Sequence, residues 1–438
     1  MRSTYDEHGF AKNLGVGHGW VEGGPLLPVK TELYQTGLGI EALRALSHLA
    51  HATGKEEASK ELDKSFAEQR PLMNETFWIA EKRRFAFALD KENQLVDEPS
   101  VLATVPMWFG LLEESKADAM ITQLADLDHQ TDWGMRIISE HSTKFSGGGY
   151  HYGSVWPLFT GWASVGEYRY HREFPAFFNL RSNALLGADG ALGHFTEVLS
   201  GDYYQSFSTS SPHQIWSAAM VVSPILRGLF GLHIDGEKHE LSFRPHIPAD
   251  WTWFAIHNLR VGGDLVDIRY RKTSDSITLD LTRQGTGDCW LEFSPALSLR
   301  TQVPSVMLND RPVPFTIESN AQDQHLRLRI PLKGQSRLVI HLKNDFGLSL
   351  LNQLPPLGSS SRELRIVEES WDAGRTQLTL DVSGRAGAHY ELNVWNPSQI
   401  ASVEGATDRG DGKLEIQMPK GDPEAYIPEK VVIHFLRR

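Results

Sequence analysis

Residues 193–218 read GHFTEVLSGDYYQSFSTSSPHQIWSA. The segment places one carboxylate, Glu197, among Gly, Ser, Thr, Tyr and His residues whose order matches neither a core helix nor an alternating strand. Polar and aromatic loops of this kind are typical of binding sites, because loops carry functional residues while helices provide the scaffold. We interpret the segment as the lining of a sugar site in which Glu197 is a catalytic base. A structural carboxylate that caps the hydroxyl-rich loop or pairs with an arginine is the alternative.

The chain before this segment has helical periodicity. Apolar residues recur at helical spacing after Thr31, Gly54 can end that helix, and a second helix begins at Lys55, which predicts an antiparallel helical hairpin. Further helices are predicted over 100–112, 115–127, 155–170, 174–186 and 213–232. The N-terminal half is therefore predicted to consist of helical pairs.

After Gly231 the period of the sequence changes from helical to two. Apolar and polar residues then alternate between turn signals, which is typical of antiparallel strands with one buried face, over 276–281, 326–330, 337–342, 377–382, 390–395, 413–418 and 431–435. The stretch NQLPPLGSSS at 352–361 is the best candidate for a linker. We predict a helical catalytic domain over 1–235, a β-sandwich over 236–350 and a second small β module over 362–438.

Charge and cysteine content exclude several classes of protein. The 438 residues include 55 acidic and 43 basic side chains, and no run of Lys and Arg could follow a phosphate backbone, so nucleic acid is not an expected partner. One thiol, Cys289, forms neither an intramolecular disulfide nor a cysteine-based zinc site, which fits a reducing compartment. With no signal-like start and no apolar run of about 20 residues, we expect a cytoplasmic protein without a membrane partner.

Two further loops carry candidate site residues. In HGWVEGGPL, residues 18–26, Glu22 lies on a glycine-rich turn where backbone and ligand can approach closely; a surface glutamate in a glycine turn is the alternative. In residues 132–157, Arg136, His151 and Trp156 could supply a hydrogen-bonding fork, a donor or acceptor, and a stacking face. The alternative is an ordered loop in which Arg136 pairs with Asp132 and Trp156 caps a helix.

Other carboxylates of the helical half have simpler structural interpretations, and common catalytic motifs are absent from the sequence. Glu32, Glu41, Asp97 and Glu98 flank or lie on predicted helices, and we interpret them as helix-end or solvated charges. The sequence contains no HExxH, GxSxG, P-loop or dinucleotide fingerprint, so neither a catalytic metal nor another cofactor is expected.

The motifs together resemble a known family. WVEGG at 20–24, WGMR at 133–136, YHYGSVWP at 150–157, GHFTEV at 193–198 and HQIWSAA at 213–219 are similar to segments of the six-hairpin (α/α)6-barrel glycosidases, the group that includes glucoamylase-like enzymes and the amylo-α-1,6-glucosidase portion of glycogen debranching enzymes. The resemblance covers roughly the first 235 residues. It implies an α plus β multidomain fold, with a helical-hairpin barrel followed by antiparallel β-sandwich modules.

The resemblance also implies a mechanism and a set of site residues. An inverting glycoside hydrolase for α-linked oligosaccharide or glucan would use Glu22 as general acid and Glu197 as general base. Relatives commonly have Asp at the first position, so Glu22 departs from the pattern by one methylene group. The implied substrate contacts are His18, Trp20, Arg136, His151, Trp156, Tyr204 and His213.

One feature departs from the family pattern. A full barrel of this type has twelve helices, whereas we count about eight, and the candidate acid already stands at residue 22. We therefore expect the C-terminal part of a longer enzyme, with a barrel incomplete at its N-terminal side. A disaccharide phosphorylase, with SFSTSSPH at 206–213 as a phosphate cradle, and a non-catalytic carbohydrate-binding fragment are the alternatives. The expected partner is a carbohydrate in each case, and the oligomeric state is left open.

Overall fold

The computed structural model describes residues 4–15 and 17–436. The chain divides into two compact units, of which the first, the helical unit, comprises the described part of Met1–Pro224 together with Asn352–Arg362. The second, the β unit, comprises Ile225–Leu351 and the described part of Glu363–Arg438. The stretch 352–361, which the sequence suggests as a linker, belongs to the helical unit, where Ser359 accepts a hydrogen bond from the backbone of Tyr204 (2.9 Å).

The helical unit contains the predicted helices in the predicted order. Its α-helices are α1 (Leu33–Ala52), α2 (Glu56–Thr76), α3 (Thr104–Trp108), α4 (Glu114–Leu124), α5 (Pro157–Arg169), α6 (Glu173–Leu186) and α7 (Ile215–Ser223). Short 3-10 turns occupy Ala80–Lys82 and Val101–Ala103, and a third, Pro397–Gln399, lies in the β unit.

Two of the predicted helices differ in form from the prediction. The helix expected over 100–112 is a 3-10 turn followed by the five-residue α3. The long helix expected over 213–232 is α7, which continues as a π-helix over Pro224–Leu229. Pro224 has no N–H to donate to the preceding turn, which explains why regular α geometry stops there.

Neighbouring helices are tied by buried polar groups as well as by apolar packing. Between α1 and α2, the hydroxyls of Ser47 and Ser59 lie 2.9 Å apart. Between α5 and α6, Asn179 Nδ2 donates to both carboxylate oxygens of the fully buried Glu167 at 3.1 and 2.9 Å. Burial raises the pKa of Glu167 to about 7, against the opposing effects of Asn179 and Arg172. These bonds fix helix register at positions where a purely apolar contact would allow sliding.

Short strands connect the helices. A three-stranded sheet contains Thr31–Glu32, Ala88–Leu89 and Leu95–Val96. One two-stranded hairpin pairs Trp78–Ile79 with Arg84–Phe85, and another pairs Gln130–Thr131 with Gly134–Met135. Among the described residues, no helix combines the length and the apolar character needed to cross a membrane.

The β unit begins with a sandwich of two sheets. In spatial order, the first sheet contains Trp253–Val261, Asp264–Lys272, Ser276–Gln284, Gln335–Lys343, Gln302–Leu308 and Arg311–Pro312. The second contains Ala296–Ser298, Asp323–Pro331, Trp290–Phe293, Glu240–Phe243 and Leu232–Asp235, with Thr316–Ser319 beside Asp323–Pro331. Buried residues of both sheets form one apolar core. Pairing is antiparallel as predicted, except that Glu240–Phe243 runs parallel to Trp290–Phe293.

Two four-stranded sheets follow in the same unit. One contains Gly347–Ser349, His389–Trp395, Lys413–Gln417 and Thr407–Asp408, and the other Arg365–Trp371, Gln377–Arg385, Tyr426–Phe435 and Ile400–Glu404. The buried Arg300 ties the second of these sheets to the sandwich, since its guanidinium donates to the carbonyl of Arg375 (2.6 Å) and lies 4.2 Å from the ring centre of Phe435. All seven strands predicted from alternation are confirmed.

The sandwich core provides a test of the packing. Leu291 is fully buried, so Leu291→Ala is expected to lower the free energy of unfolding by about 2–5 kcal/mol through lost burial and the cavity left behind. Ile317→Ala, at a position that is 42% exposed, is the control and should change it by less than about 1 kcal/mol. Urea unfolding measures both, and equal losses would contradict the assigned core.

Candidate active site

The loop that carries Glu197 folds back on itself to hold the carboxylate. The backbone N–H of Glu197 donates to the carbonyl of Ser211 (3.0 Å), and the N–H of Ser211 donates to Glu197 Oε2 (3.1 Å). The hydroxyls of Thr196 and Ser210 lie 2.8 Å apart and join the same two chain segments. Glu197 is half-buried, so one side of its carboxylate is fixed by the loop while part of it meets solvent.

Tyr150 binds the other oxygen of this carboxylate. Its hydroxyl donates to Glu197 Oε1 at 3.1 Å, and the side chain is 39% exposed. The backbone carbonyl of Tyr150 accepts a hydrogen bond from Trp156 Nε1 (3.0 Å), and the two rings lie 4.7 Å apart, edge to face. Trp156, at the start of α5, therefore fixes Tyr150 against the scaffold.

Glu22 lies near the same tyrosine. Desolvation raises the pKa of Tyr150 to about 12, reinforced by the hydrogen bond to Glu197, the charge of Glu197 and the charge of Glu22. Desolvation also lowers the pKa of His151, while the charge of Glu22 opposes this. Both predicted carboxylates thus act on Tyr150, and Glu22 also acts on His151. Glu22 itself is exposed.

A glycine allows the Glu22 loop to approach so closely. Gly24 has a φ of +88°, and a Cβ at this position would lie 2.5 Å from the ring of Tyr152. A positive φ and a contact this short both favour glycine over any other residue. The loop therefore packs directly on the segment that carries Tyr150 and His151.

Trp20 forms the aromatic side of the site. Its ring centre lies 4.9 Å from His151, 5.1 Å from Trp156 and 4.7 Å from Phe159, each in an edge-on arrangement. The backbone N–H of Trp20 donates to the hydroxyl of Tyr34 on α1. Flat aromatic groups beside two carboxylates suit a ligand with apolar ring faces and polar edges.

The remaining predicted site residues lie in different surroundings. His18 is exposed on the Glu22 loop, and its carbonyl accepts a hydrogen bond from Gln35. His213 is exposed at the edge of the Glu197 loop, where Nδ1 accepts from the N–H of Phe195 (3.4 Å) and the ring lies 4.7 Å from that of His194.

Arg136 and Tyr204 are buried among protein groups. Arg136 donates from Nε to the carbonyl of Gly201 (2.7 Å) and forms an ion pair with Glu140 (2.8 Å). The hydroxyl of Tyr204 donates to Asp189, and desolvation together with that carboxylate raises its pKa. These contacts give both residues a role in holding the loops.

Sequence reasoning missed the role of Tyr150 and the burial of Glu32. Tyr150 belongs to the quoted segment YHYGSVWP, but its residue type gave no sign of the bond to Glu197. Glu32 lies at the start of α1, which agrees with the helix-end interpretation, but it is not a solvated charge, because the side chain is fully buried. Asn13 Nδ2 donates to Glu32 Oε1 (2.5 Å), and Oε2 has no hydrogen-bond partner among the described residues. Burial raises the pKa of Glu32 to about 7 against the effect of Asn13.

Glu32 supports the loop that carries Glu22. Its Oε1 lies close under the backbone of that loop, since a Cβ added at Gly19 would lie 2.6 Å from this oxygen. With the bonds from Asn13 to Glu32 and from Trp20 to Tyr34, the start of α1 anchors the chain on both sides of His18.

Part of the chain matches a known protein family. Residues 31–191 match the model of the mannosylglycerate hydrolase MGH1-like glycoside hydrolase domain. Over this range the chain is similar to a glycoside hydrolase domain. The matched range includes Tyr150, His151 and Trp156, while Glu22 and Glu197 lie just outside it. No curated protein matches the sequence.

Several solved structures are similar to the chain. A sialidase has a TM-score of 0.53 at 14% identity, over 74% of this chain and 29% of that one. An α-L-rhamnosidase from Dictyoglumus thermophilum has a TM-score of 0.47 at 16% identity, over 70% and 32%. A GH63 mannosylglycerate hydrolase from Thermus thermophilus, in complex with Tris and D-glycerate, has a TM-score of 0.37 at 16% identity, over 44% and 45%. The chain therefore spans 29% to 45% of the length of these proteins.

Substitution of Gly201 tests the close backbone contact between the two site loops. A Cβ at Gly201 would lie 1.9 Å from the carbonyl oxygen of Gly153, so Gly201→Ala is expected to lower the free energy of unfolding by about 1–3 kcal/mol. Gly148→Ala, where a Cβ would meet nothing within 4 Å, is the matched control. Chemical denaturation compares the two variants, and an unchanged stability for Gly201→Ala would refute the contact.

Burial of Glu32 makes stability depend on pH in a definite direction. Its pKa rises from 4.5 to about 7 on folding, so the folded chain keeps a proton that the unfolded chain loses as pH increases between these values. The contribution of Glu32 is thus full below pH 4.5 and falls by up to about 3 kcal/mol as pH rises through 7. Glu32→Gln should remove this part of the pH dependence, while the exposed Glu92→Gln should not. Denaturation from pH 4.5 to 8 measures it, and parallel curves for wild type and Glu32→Gln would contradict it.

Proposed function

We propose that the chain forms the catalytic region of an inverting glycoside hydrolase that acts on an α-linked oligosaccharide or glucan. Glu22 is the general acid and Glu197 the general base. The observation that carries this proposal is the position of Tyr150, which binds Glu197 and lies in the electrostatic field of Glu22. The matched glycoside hydrolase domain supports the reaction class.

The surroundings of Glu197 suit a base. A base must be ionised before it can activate water, and hydrogen bonds to the charged form of a carboxylate favour that form. Glu197 accepts two such bonds, one from Tyr150 and one from the N–H of Ser211. Both donors also orient the carboxylate, so that an attacking water would meet it from the solvent side.

The surroundings of Glu22 suit an acid once substrate is bound. The acid must carry a proton, and burial of a carboxyl group under a ligand favours its neutral form. Glu22 is exposed in the chain alone, so substrate would supply this desolvation. In an inverting enzyme the acid protonates the leaving oxygen while the base removes a proton from water on the opposite face of the sugar.

The finer assignment rests on the motifs. WVEGG and GHFTEV are similar to the acid and base segments of debranching-type glucosidases, and we propose a related α-glucosidic specificity and an (α/α)6-type barrel to which the helical pairs belong. The edges of Trp20 and His151 and the exposed part of Tyr150 would contact the sugar. No cofactor enters the mechanism.

One observation favours hydrolysis over phosphorolysis. Two of the hydroxyls expected to cradle phosphate are used within the loop, since Ser210 Oγ accepts from the N–H of Val198 (3.0 Å) and Ser211 Oγ donates to the carbonyl of His213 (3.0 Å). A base carboxylate stands beside them, where a bound phosphate dianion would be repelled.

Substitution of the two carboxylates tests the proposal. Glu197→Gln and Glu22→Gln preserve side-chain shape and should each lower the hydrolysis of a panel of α-linked oligosaccharides and glucans by about 10²- to 10⁴-fold. Glu92→Gln, on an exposed loop, should retain full activity. Proton NMR of the first product released should show the inverted anomer, and activity should not require added inorganic phosphate.

Three results would contradict the proposal in distinct ways. Full turnover by Glu197→Gln would remove the base assignment. Cleavage that depends on phosphate would establish a phosphorylase. Sugar binding by calorimetry without product from the wild-type protein would establish a binding module.

A further inference from the structure

The β unit contains a buried cluster of two histidines and one aspartate. Asp323 and His325 are the first and third residues of the strand Asp323–Pro331, so their side chains lie on the same face. His246 comes from the loop that follows the strand Glu240–Phe243. The three residues are 5% to 6% exposed and lie far along the chain from the candidate carboxylates. Nothing in the proposed reaction uses them.

The distances within the cluster match those between ligands of one metal ion. Asp323 Oδ2 lies 3.3 Å from His325 Nε2 and 3.7 Å from His246 Nδ1, and the candidate ligand atoms all lie within 4.8 Å of one another. A charged hydrogen bond between such groups is commonly about 2.7–2.9 Å long. Ligands at about 2.0–2.1 Å from a tetrahedral ion are separated by roughly 3.4 Å, which is closer to the observed spacing.

Hydrogen bonds outside the cluster orient these ligand atoms. His325 Nδ1 lies 2.7 Å from the carbonyl oxygen of Ser294, which places the ring proton on Nδ1 and directs the lone pair of Nε2 toward Asp323. Asp323 Oδ1 accepts a hydrogen bond from Asn320 Nδ2 (2.8 Å), which fixes the carboxylate with Oδ2 toward the imidazoles. Either a second ring proton on Nε2, which would give a hydrogen bond of 3.3 Å, or a metal ion stabilises the approach of this nitrogen to Asp323 Oδ2.

We propose that His246, Asp323 and His325 bind a divalent transition metal ion, with Zn²⁺ as the best match. Two imidazoles and one carboxylate oxygen favour Zn²⁺ over Ca²⁺, which takes an all-oxygen shell. Metal-binding histidines commonly donate their second ring N–H to a carbonyl, as His325 does to Ser294. A fourth ligand would be water or a further protein group.

The site would stabilise the sandwich. The ion would join the loop at His246 to the strand at Asp323, and its binding to the folded state alone would raise the stability of the β unit. The competing explanation is a proton on one imidazole, which would give an ion pair with Asp323 and no affinity for metal. The two explanations differ in their response to added Zn²⁺.

Titration with Zn²⁺ tests the site. Untagged protein is freed of metal with a chelator, dialysed, and titrated with ZnCl₂ in a calorimeter, with metal content then measured by mass spectrometry. The wild type should retain about one Zn²⁺ per chain and unfold at a higher temperature with Zn²⁺, whereas CaCl₂ should change neither. Asp323→Asn and His325→Gln should each weaken Zn²⁺ binding at least tenfold.

His257→Gln is the matched control. His257 Nδ1 lies 3.6 Å from Asp267 Oδ2 on an exposed face of the sandwich, and this ion pair includes no second imidazole. Loss of the His257 side chain should therefore leave Zn²⁺ binding unchanged. Should Asp323→Asn fail to fold, His246→Gln and His325→Gln measured together decide the question. Wild-type protein without stoichiometric Zn²⁺, or Zn²⁺ binding that all three variants retain, would overturn the proposal.

Discussion

The candidate site depends on the pairing of two long loops through backbone atoms. Val155 and Leu199 exchange two backbone hydrogen bonds of 2.9 Å, and the missing side chain of Gly201 lets its backbone approach the carbonyl oxygen of Gly153. Trp133 Nε1 and Arg136 Nε close the same junction by donating to the carbonyls of Ser200 (2.8 Å) and Gly201 (2.7 Å). Through this pairing Tyr150 on one loop meets Glu197 on the other.

The two carboxylates experience different environments because of this arrangement. Glu197 is fixed by donors from both loops, while Glu22 stands exposed on a separate glycine turn that α1 supports from below. Groups fixed by a rigid junction keep their geometry when a ligand binds, and an exposed group on a turn can adjust to it. The site thus combines a preorganised half with an adaptable half.

Local periodicity explains which parts of the fold were predictable. Alternation located seven of the strands and apolar spacing located α1, α2, α5 and α6, because both patterns reflect the face that each element buries. The helix predicted over 100–112 was too long, because an apolar run does not distinguish a buried 3-10 turn from an α-helix. Arg136 and Glu32 show a further limit, because a charged residue in sequence looks the same whether it meets solvent, a ligand or a carbonyl. Only the tertiary contacts decided between these roles.

The order of strands in the last sheet constrains when that sheet can form. Tyr426–Phe435 lies between Gln377–Arg385 and Ile400–Glu404, so the strand made last occupies an inner position. During synthesis the earlier strands must wait, with their edges open, until residues 426–435 have left the ribosome. The helical hairpin of α1 and α2, built from neighbouring residues, is free of this delay. The nascent chain therefore exposes the edges of Gln377–Arg385 and Ile400–Glu404 until the strand Tyr426–Phe435 is available, which makes this sheet dependent on rapid completion or chaperone protection.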